Sequence, residues 1–189
     1  MTPTEREHQI AASSAVEANS YLSKSRRTCN TLTKWQHMST RMGEDCARLK
    51  KEKGPVRIVV YSVFVKHGAT GFFSFLKHKY NAQTKGRRIH YGIHGLNVQV
   101  SLMHDNALQW FNNDSDACKI LVLTSGSGTG ISLKNVRVIH LMEPQWTEAD
   151  EQQVRARCNR QQRDGGTVHD ELHVRERQSY QILVRKRSA

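Results

Sequence analysis

Gln153, Arg157 and Arg160 recur at intervals of four and three residues, so on a helix they share one face. Two guanidiniums and an amide on one stripe could clamp a phosphate, because guanidinium is always charged and forks across two oxygens. The same spacing also suits a solvated helix face, and spacing alone leaves both readings open. Upstream lies a second chemically suggestive stretch, Thr124-Ser125-Gly126-Ser127-Gly128-Thr129-Gly130. Glycines let backbone N–H groups approach a phosphate closely, and the interspersed hydroxyls add donors.

These residues need a scaffold, and the flanking sequence predicts one. Ile120 to Leu123 is a short apolar run without alternation that ends in the glycine loop, which predicts a buried parallel strand. A second apolar run, Val136 to Met142, leads through Pro144 and Trp146 into a helix. Thr147 and Asp150 form its start signal, and Glu148, Asp150 and Glu151 sit where the helix dipole favours acids. Further upstream, Ser39 to Lys53 reads as a helix capped by Ser39, with Met42, Cys46 and Leu49 on one face and Gly54-Pro55 as its stop. Arg57 to Ser62 reads as a buried strand and Gly68 to Tyr80 as a helix whose phenylalanines belong to the core. Ile89 to Ile93 is a third strand ending at His94-Gly95, and Met103 to Phe111 a short amphipathic helix. Alternation of strands and helices predicts an α/β domain with a largely parallel sheet.

In this order, the motifs resemble the C-terminal RecA-like lobe of superfamily 2 helicases and translocases. Thr124 to Leu133 is similar to the family's motif V. Gln153-Val154-Arg155-Ala156-Arg157-Cys158-Asn159-Arg160 is similar to motif VI, with Ala156 where the family has glycine. Arg57 to Ser62 resembles motif IV, and Phe111-Asn112 the F-N after the following helix; His104 stands near a position where relatives commonly carry arginine. Glu143-Pro144-Gln145-Trp146 resembles the Swi/Snf-like branch, closest to transcription-associated helicases of large DNA viruses. Tyr21 to Asn30 and the run His169, Leu172, Glu176, Arg177 are similar to segments flanking this lobe in that viral group. The resemblance implies that Arg157 and Arg160 reach the γ-phosphate of ATP as arginine fingers and that Gln153 orders that network. It implies that Gly128, Thr129 and Gly130 couple the nucleotide cleft to nucleic acid, whose backbone meets Thr124, Ser125 and Gly126. ATP and Mg²⁺ are the implied ligands, held mainly by a separate P-loop lobe in cis or in trans.

Composition sets bounds on this reading. The chain has 189 residues, enough for one domain of ordinary core size and not for two helicase lobes. A net charge of +12 and a pI near 9.9 favour an anionic partner, DNA or RNA ahead of a membrane, since no apolar run approaches a spanning length. Cys29, Cys46, Cys118 and Cys158 form no C-x-x-C pair, which argues against a zinc site and for a reducing, intracellular setting, nucleus or cytoplasm, to which the viral resemblance adds a viral factory or virion. The N-terminus lacks an apolar signal core, so secretion is not expected. Residues 1 to 38 are sparse in apolar side chains and read as a partly disordered leader or inter-lobe connection, with the domain following from residue 39 to 189.

ATP hydrolysis also needs G-x-x-x-x-G-K-[ST] and an acid for Mg²⁺, and this sequence contains no G-K-[ST]. Asp170-Glu171-Leu172-His173 spells D-E-x-H but lacks a preceding apolar strand and stands after motif VI, so it does not supply that acid. His169 and His173 would be a metal pair only on a helix and lack a third ligand, so no metal site is expected. Two functions follow from the sequence. One is the C-terminal lobe of an ATP-dependent helicase or translocase, inactive alone; the other is a non-catalytic nucleic-acid-binding protein of the same fold.

Overall fold

The computed structural model describes residues 30–52, 54–127, 131–143, 148–158 and 173–174. Helix α1 (Leu32–Lys51) precedes strand β1 (Arg57–Ser62), a π-helical turn (Val65–Thr70) and helix α2 (Gly71–Lys79). A meander follows of β2 (Gln83–Lys85), β3 (Arg88–Ile93) and β4 (Leu96–Leu102). Helix α3 (Ala107–Asn112), β5 (Cys118–Thr124), a 3₁₀ turn (Ser125–Ser127), β6 (Val138–Leu141), α4 (Glu148–Cys158) and β7 (His173–Val174) complete the order.

The strands form one seven-stranded sheet in the order β2-β3-β4-β5-β1-β6-β7. From β4 to β7 all neighbours are parallel, and only the β2-β3-β4 end is antiparallel. The α/β sheet expected from the sequence is therefore present, with helices on both faces.

Two separate cores explain why the central strands read as unbroken apolar runs. Ile58 and Val60 of β1 join Ile120 and Val122 of β5 in a core with α1 and α2. Their neighbours Val59, Tyr61, Leu121 and Leu123 point to the opposite core, which includes Phe111 of α3 and Val154 of α4. Successive strand residues face opposite sides, so a strand covered on both faces must be apolar at every position. On β3 and β4, by contrast, Ile89, Tyr91, Val98 and Val100 enter only the first core. Arg88, His90, Gln99 and Ser101 share the other face, which is why this end alternates.

Strand β4 was not anticipated, although its alternation suits a strand covered on one face. The link is a two-residue turn in which His94 (φ 50°) and Gly95 (φ 73°) are both left-handed, the geometry that suits hairpin twist. His-Gly is an unusual pair for that turn. Strands β2 and β7, of three and two residues, are too short to show a period. The helix expected from Met103 begins only at Ala107.

The start of α1 also differs from expectation. Thr31, not Ser39, is the N-cap, with its hydroxyl accepting from Lys34 N–H. Ser39 lies buried inside the helix and donates to the Gln36 carbonyl at 2.8 Å. The additional turns form because Trp35 and Met38 have apolar surface to cover: the Trp35 ring lies 6.0 Å from that of Phe75, and Met38 enters the first core. On the sheet side, Asp45 of α1 meets His140 of β6 at 3.2 Å, both almost fully buried. Residues 1–29 lie outside the described residues, as do His169 and the strand expected from Ser179 to Val184.

Candidate functional site

Open α/β sheets bind ligands beyond the carboxyl ends of their parallel strands, where the following loops converge. Here those ends belong to β5, β1 and β6, which are adjacent: Thr124 pairs with Ser62, and Tyr61 with Leu141. Thr124 is half-buried as the last residue of β5, while Ser125 and Gly126 are exposed in the 3₁₀ turn. A Cβ added at Gly126 would meet nothing within 4 Å, so this part of the loop faces open space. Gly128, Thr129 and Gly130 lie outside the described residues. Beyond them, Ile131 and Leu133 are buried in the second core. Asn112 fixes this return: its amide donates to the Ser132 carbonyl at 3.0 Å and its oxygen accepts from Lys134 N–H at 2.9 Å. Asn112 thus clamps the far side of the glycine loop to α3, a physical role for the Phe111-Asn112 pair.

Helix α4 is held to the sheet by Val154, 4% exposed in the second core. Gln153 lies beside it and is exposed. Arg157 falls within α4 one turn after Gln153, and Arg160 lies outside the described residues. Gln153 and Arg157 are therefore carried on a helix that follows β6 at the carboxyl edge.

The centre of this edge is a residue that sequence reasoning used only as part of a motif. Glu143, two residues beyond β6, is 1% exposed. Its Oε2 accepts from Val63 N–H at 2.9 Å. Its Oε1 lies 2.9 Å from the Ser62 hydroxyl and accepts from the Asn30 amide at 2.6 Å. Ser62 Oγ in turn accepts from Phe64 N–H at 3.1 Å. Lys34 of α1 donates to the adjacent Met142 carbonyl. One carboxylate thus ties together the loop after β1, the loop after β6 and the entry to α1. A carboxylate at the end of a buried apolar strand was the available signal, since such a group is buried only where donors satisfy it.

Gly68 completes the arrangement. A Cβ there would lie 1.9 Å from Ser62 Oγ and 3.2 Å from Glu143 Oε1, so no side chain fits without displacing that pair. Gly68→Ala is expected to destabilise the domain by roughly 2–4 kcal/mol in urea unfolding, from overpacking and a broken hydrogen-bond set. Gly126→Ala, which meets open space, is the comparison and should stay within about 0.5 kcal/mol. Equal midpoints for the two variants would show that the loop after β1 yields freely.

The opposite end of the sheet holds a second buried polar cluster. Arg57 is 1% exposed and donates to the Asn112 carbonyl, the Lys134 carbonyl and Asp114. Lys119 donates to the Trp110 and Asn113 carbonyls, and burial, reinforced by Arg57, pushes its ammonium below the usual lysine range. These cations brace the amino ends of the strands and are remote from the candidate site.

The sheet, its carboxyl-edge loops and the helix after β6 define a RecA-like helicase lobe. The profile of the helicase conserved C-terminal domain matches residues 41–162, and the chain belongs to that family. A comparison with curated proteins returns no significant match.

Proposed function

We propose that this domain is the arginine-finger half of a composite ATP site in a superfamily 2, Swi/Snf-like helicase or translocase of the kind found in large DNA viruses. One observation carries the reading: the loop Thr124–Gly126 and helix α4 follow β5 and β6, the parallel strands on either side of β1, within the span matched by the helicase family. In this assignment Arg157 and Arg160 neutralise charge on the γ-phosphate of ATP held by a P-loop lobe, and Gln153 orders them. Gly128, Thr129 and Gly130 link that cleft to nucleic acid, and Thr124, Ser125 and Gly126 offer donors to its backbone. ATP is the substrate. Among the described residues no cluster of three His, Cys, Asp or Glu side chains is placed to hold a metal ion, and Glu143 is engaged by three donors. Mg²⁺ is assigned to the P-loop lobe, to which the resemblance gives the G-K-[ST] loop and the metal-holding acid.

The test is steady-state ATPase activity with and without single-stranded DNA or RNA, for the chain alone and joined to or mixed with its P-loop lobe. Activity requiring both the second lobe and nucleic acid supports the proposal. ATP hydrolysis by this chain alone would overturn it.

A second reading, a non-catalytic nucleic-acid-binding protein, is favoured by the +12 charge together with the lack of G-K-[ST]. Both readings predict sequence-independent binding to nucleic acid that weakens about tenfold or more between low and physiological salt, as phosphate contacts displace counterions. Fluorescence anisotropy with labelled oligonucleotides across a salt series measures this. Salt-insensitive binding would remove the phosphate backbone as the ligand.

A further inference from the structure

Every ionised carboxylate is missing between Glu52 and Asp105, while eight lysines and arginines fall from Lys53 through Arg88. The chain folds part of it into the β2-β3 hairpin at the outer end of the sheet. Because β3 runs antiparallel to β4, its first residue, Arg88, pairs with Ser101 near the end of β4. Leu102 of β4 pairs in turn with Val122, two residues before Thr124. The hairpin turn Lys85-Gly86-Arg87-Arg88 therefore stands at the same carboxyl edge as the Thr124–Gly126 loop. Two strand spacings, about 10 Å, separate β3 from β5.

The turn presents its charges outward. Gly86 is left-handed (φ 62°), a geometry glycine adopts without strain, and it closes the hairpin tightly. Lys85 and Arg87 are exposed, and among the described residues neither makes a carboxylate ion pair. Arg88 is held with its guanidinium 5.5 Å over the Trp110 ring. His90 registers the local field: burial lowers its pKa, and Arg88 and Lys85 lower it further. The nearest acid in sequence at this end of the edge is the exposed Asp105, one negative charge against Lys85, Arg87 and Arg88.

We infer that the β2-β3 turn is a second phosphate-binding element, which extends the nucleic-acid track from the Thr124–Gly126 loop along the carboxyl edge to the outer end of the sheet. The inference rests on the nucleic-acid reading above and assigns Lys85 and Arg87 to successive backbone phosphates. Lysine on an edge strand also deters strand pairing. Arg87 lies in the turn and not on the free edge, so that role does not account for it.

The experiment compares the full chain with Lys85→Ala/Arg87→Ala and with Lys50→Ala/Lys51→Ala. The second pair removes equal charge from the end of α1, where Lys50 reaches the Asp116 carbonyl just before β5. Anisotropy with a labelled single-stranded oligonucleotide gives affinity and its salt slope. The hairpin variant is expected to bind roughly tenfold more weakly near 0.1 M salt, with a slope smaller by about 1.4, while the α1 variant changes much less. Equal losses in the two variants would reduce the effect to net charge and overturn the inference. So would an unchanged hairpin variant, which leaves Lys85 as a guard of the sheet edge and the nucleic-acid reading intact. If the unmodified chain itself fails to bind, the nucleic-acid reading falls and this inference with it. Thermal midpoints of both variants should match the unmodified chain, since all four side chains are exposed.

Discussion

Joined to its P-loop lobe, the Arg157→Ala variant should lose turnover on the order of a thousandfold, with a far smaller change in the KM for ATP. An arginine finger acts on charge that spreads over the γ-phosphoryl oxygens in the transition state, so its removal falls on kcat. Arg157→Lys keeps the charge but not the planar fork that grips two oxygens, and should be nearly as damaging. Arg160→Ala should behave like Arg157→Ala. Arg155 stands two residues from Arg157, about 200° around the helix, and its alanine variant should be tolerated. Nucleic-acid affinity without ATP should be unchanged in all four variants, which separates lost chemistry from lost binding. Loss of turnover in Arg155→Ala with normal rates for Arg157→Ala and Arg160→Ala would invert the assignment of this helix.

Glu143→Ala should be the most destabilising single truncation at the carboxyl edge, by about 3–5 kcal/mol. The carboxylate is 1% exposed and meets the Val63 N–H, the Asn30 amide and the Ser62 hydroxyl. Removing it strands several donors at once, each leaving a desolvation penalty of about 1–3 kcal/mol if it cannot reach water. Asn30 is near enough to the start of α1 to recover solvent, which keeps the total below the full sum. Glu143→Gln retains one acceptor oxygen but turns an amide N–H₂ toward another donor, so a loss of about 1–3 kcal/mol is expected. Urea unfolding should show lower midpoints at an unchanged slope, as befits a change in native-state interactions. A loss under about 1 kcal/mol for Glu143→Ala would mean that the loops after β1 and β6 hold their positions without it. Ser62→Ala removes one contact of the same set and should fall between the unmodified chain and Glu143→Gln.

Much of this architecture was legible in the sequence because burial on two faces leaves a distinctive trace. Arg57–Ser62 and Cys118–Thr124 pair along their whole length as parallel strands, and each was announced by an apolar run with no alternation. The helix with Gln153 and Arg157 was announced by its acidic first turn, and it starts at Glu148 as that signal requires. The family assignment was equally local, since motif order and spacing are properties of the chain. What the sequence could not fix was anything set by partners far along it. Thr31 and Ser39 are both competent N-caps, and only the packing of Trp35 against Phe75 and Met38 against the sheet decides for the earlier one. Glu143 and Asn30 are 113 residues apart, and no local pattern reveals that they meet. Gly68 is unremarkable in sequence, and its necessity comes from Ser62 and Glu143 standing where its side chain would be. The placement of the basic β2-β3 turn at the same edge as Thr124 depends on β3 running against β4, a pairing set by the His94-Gly95 turn. Local chemistry determined which elements form and which motifs they carry; long-range packing and strand direction decided which of those residues share an edge.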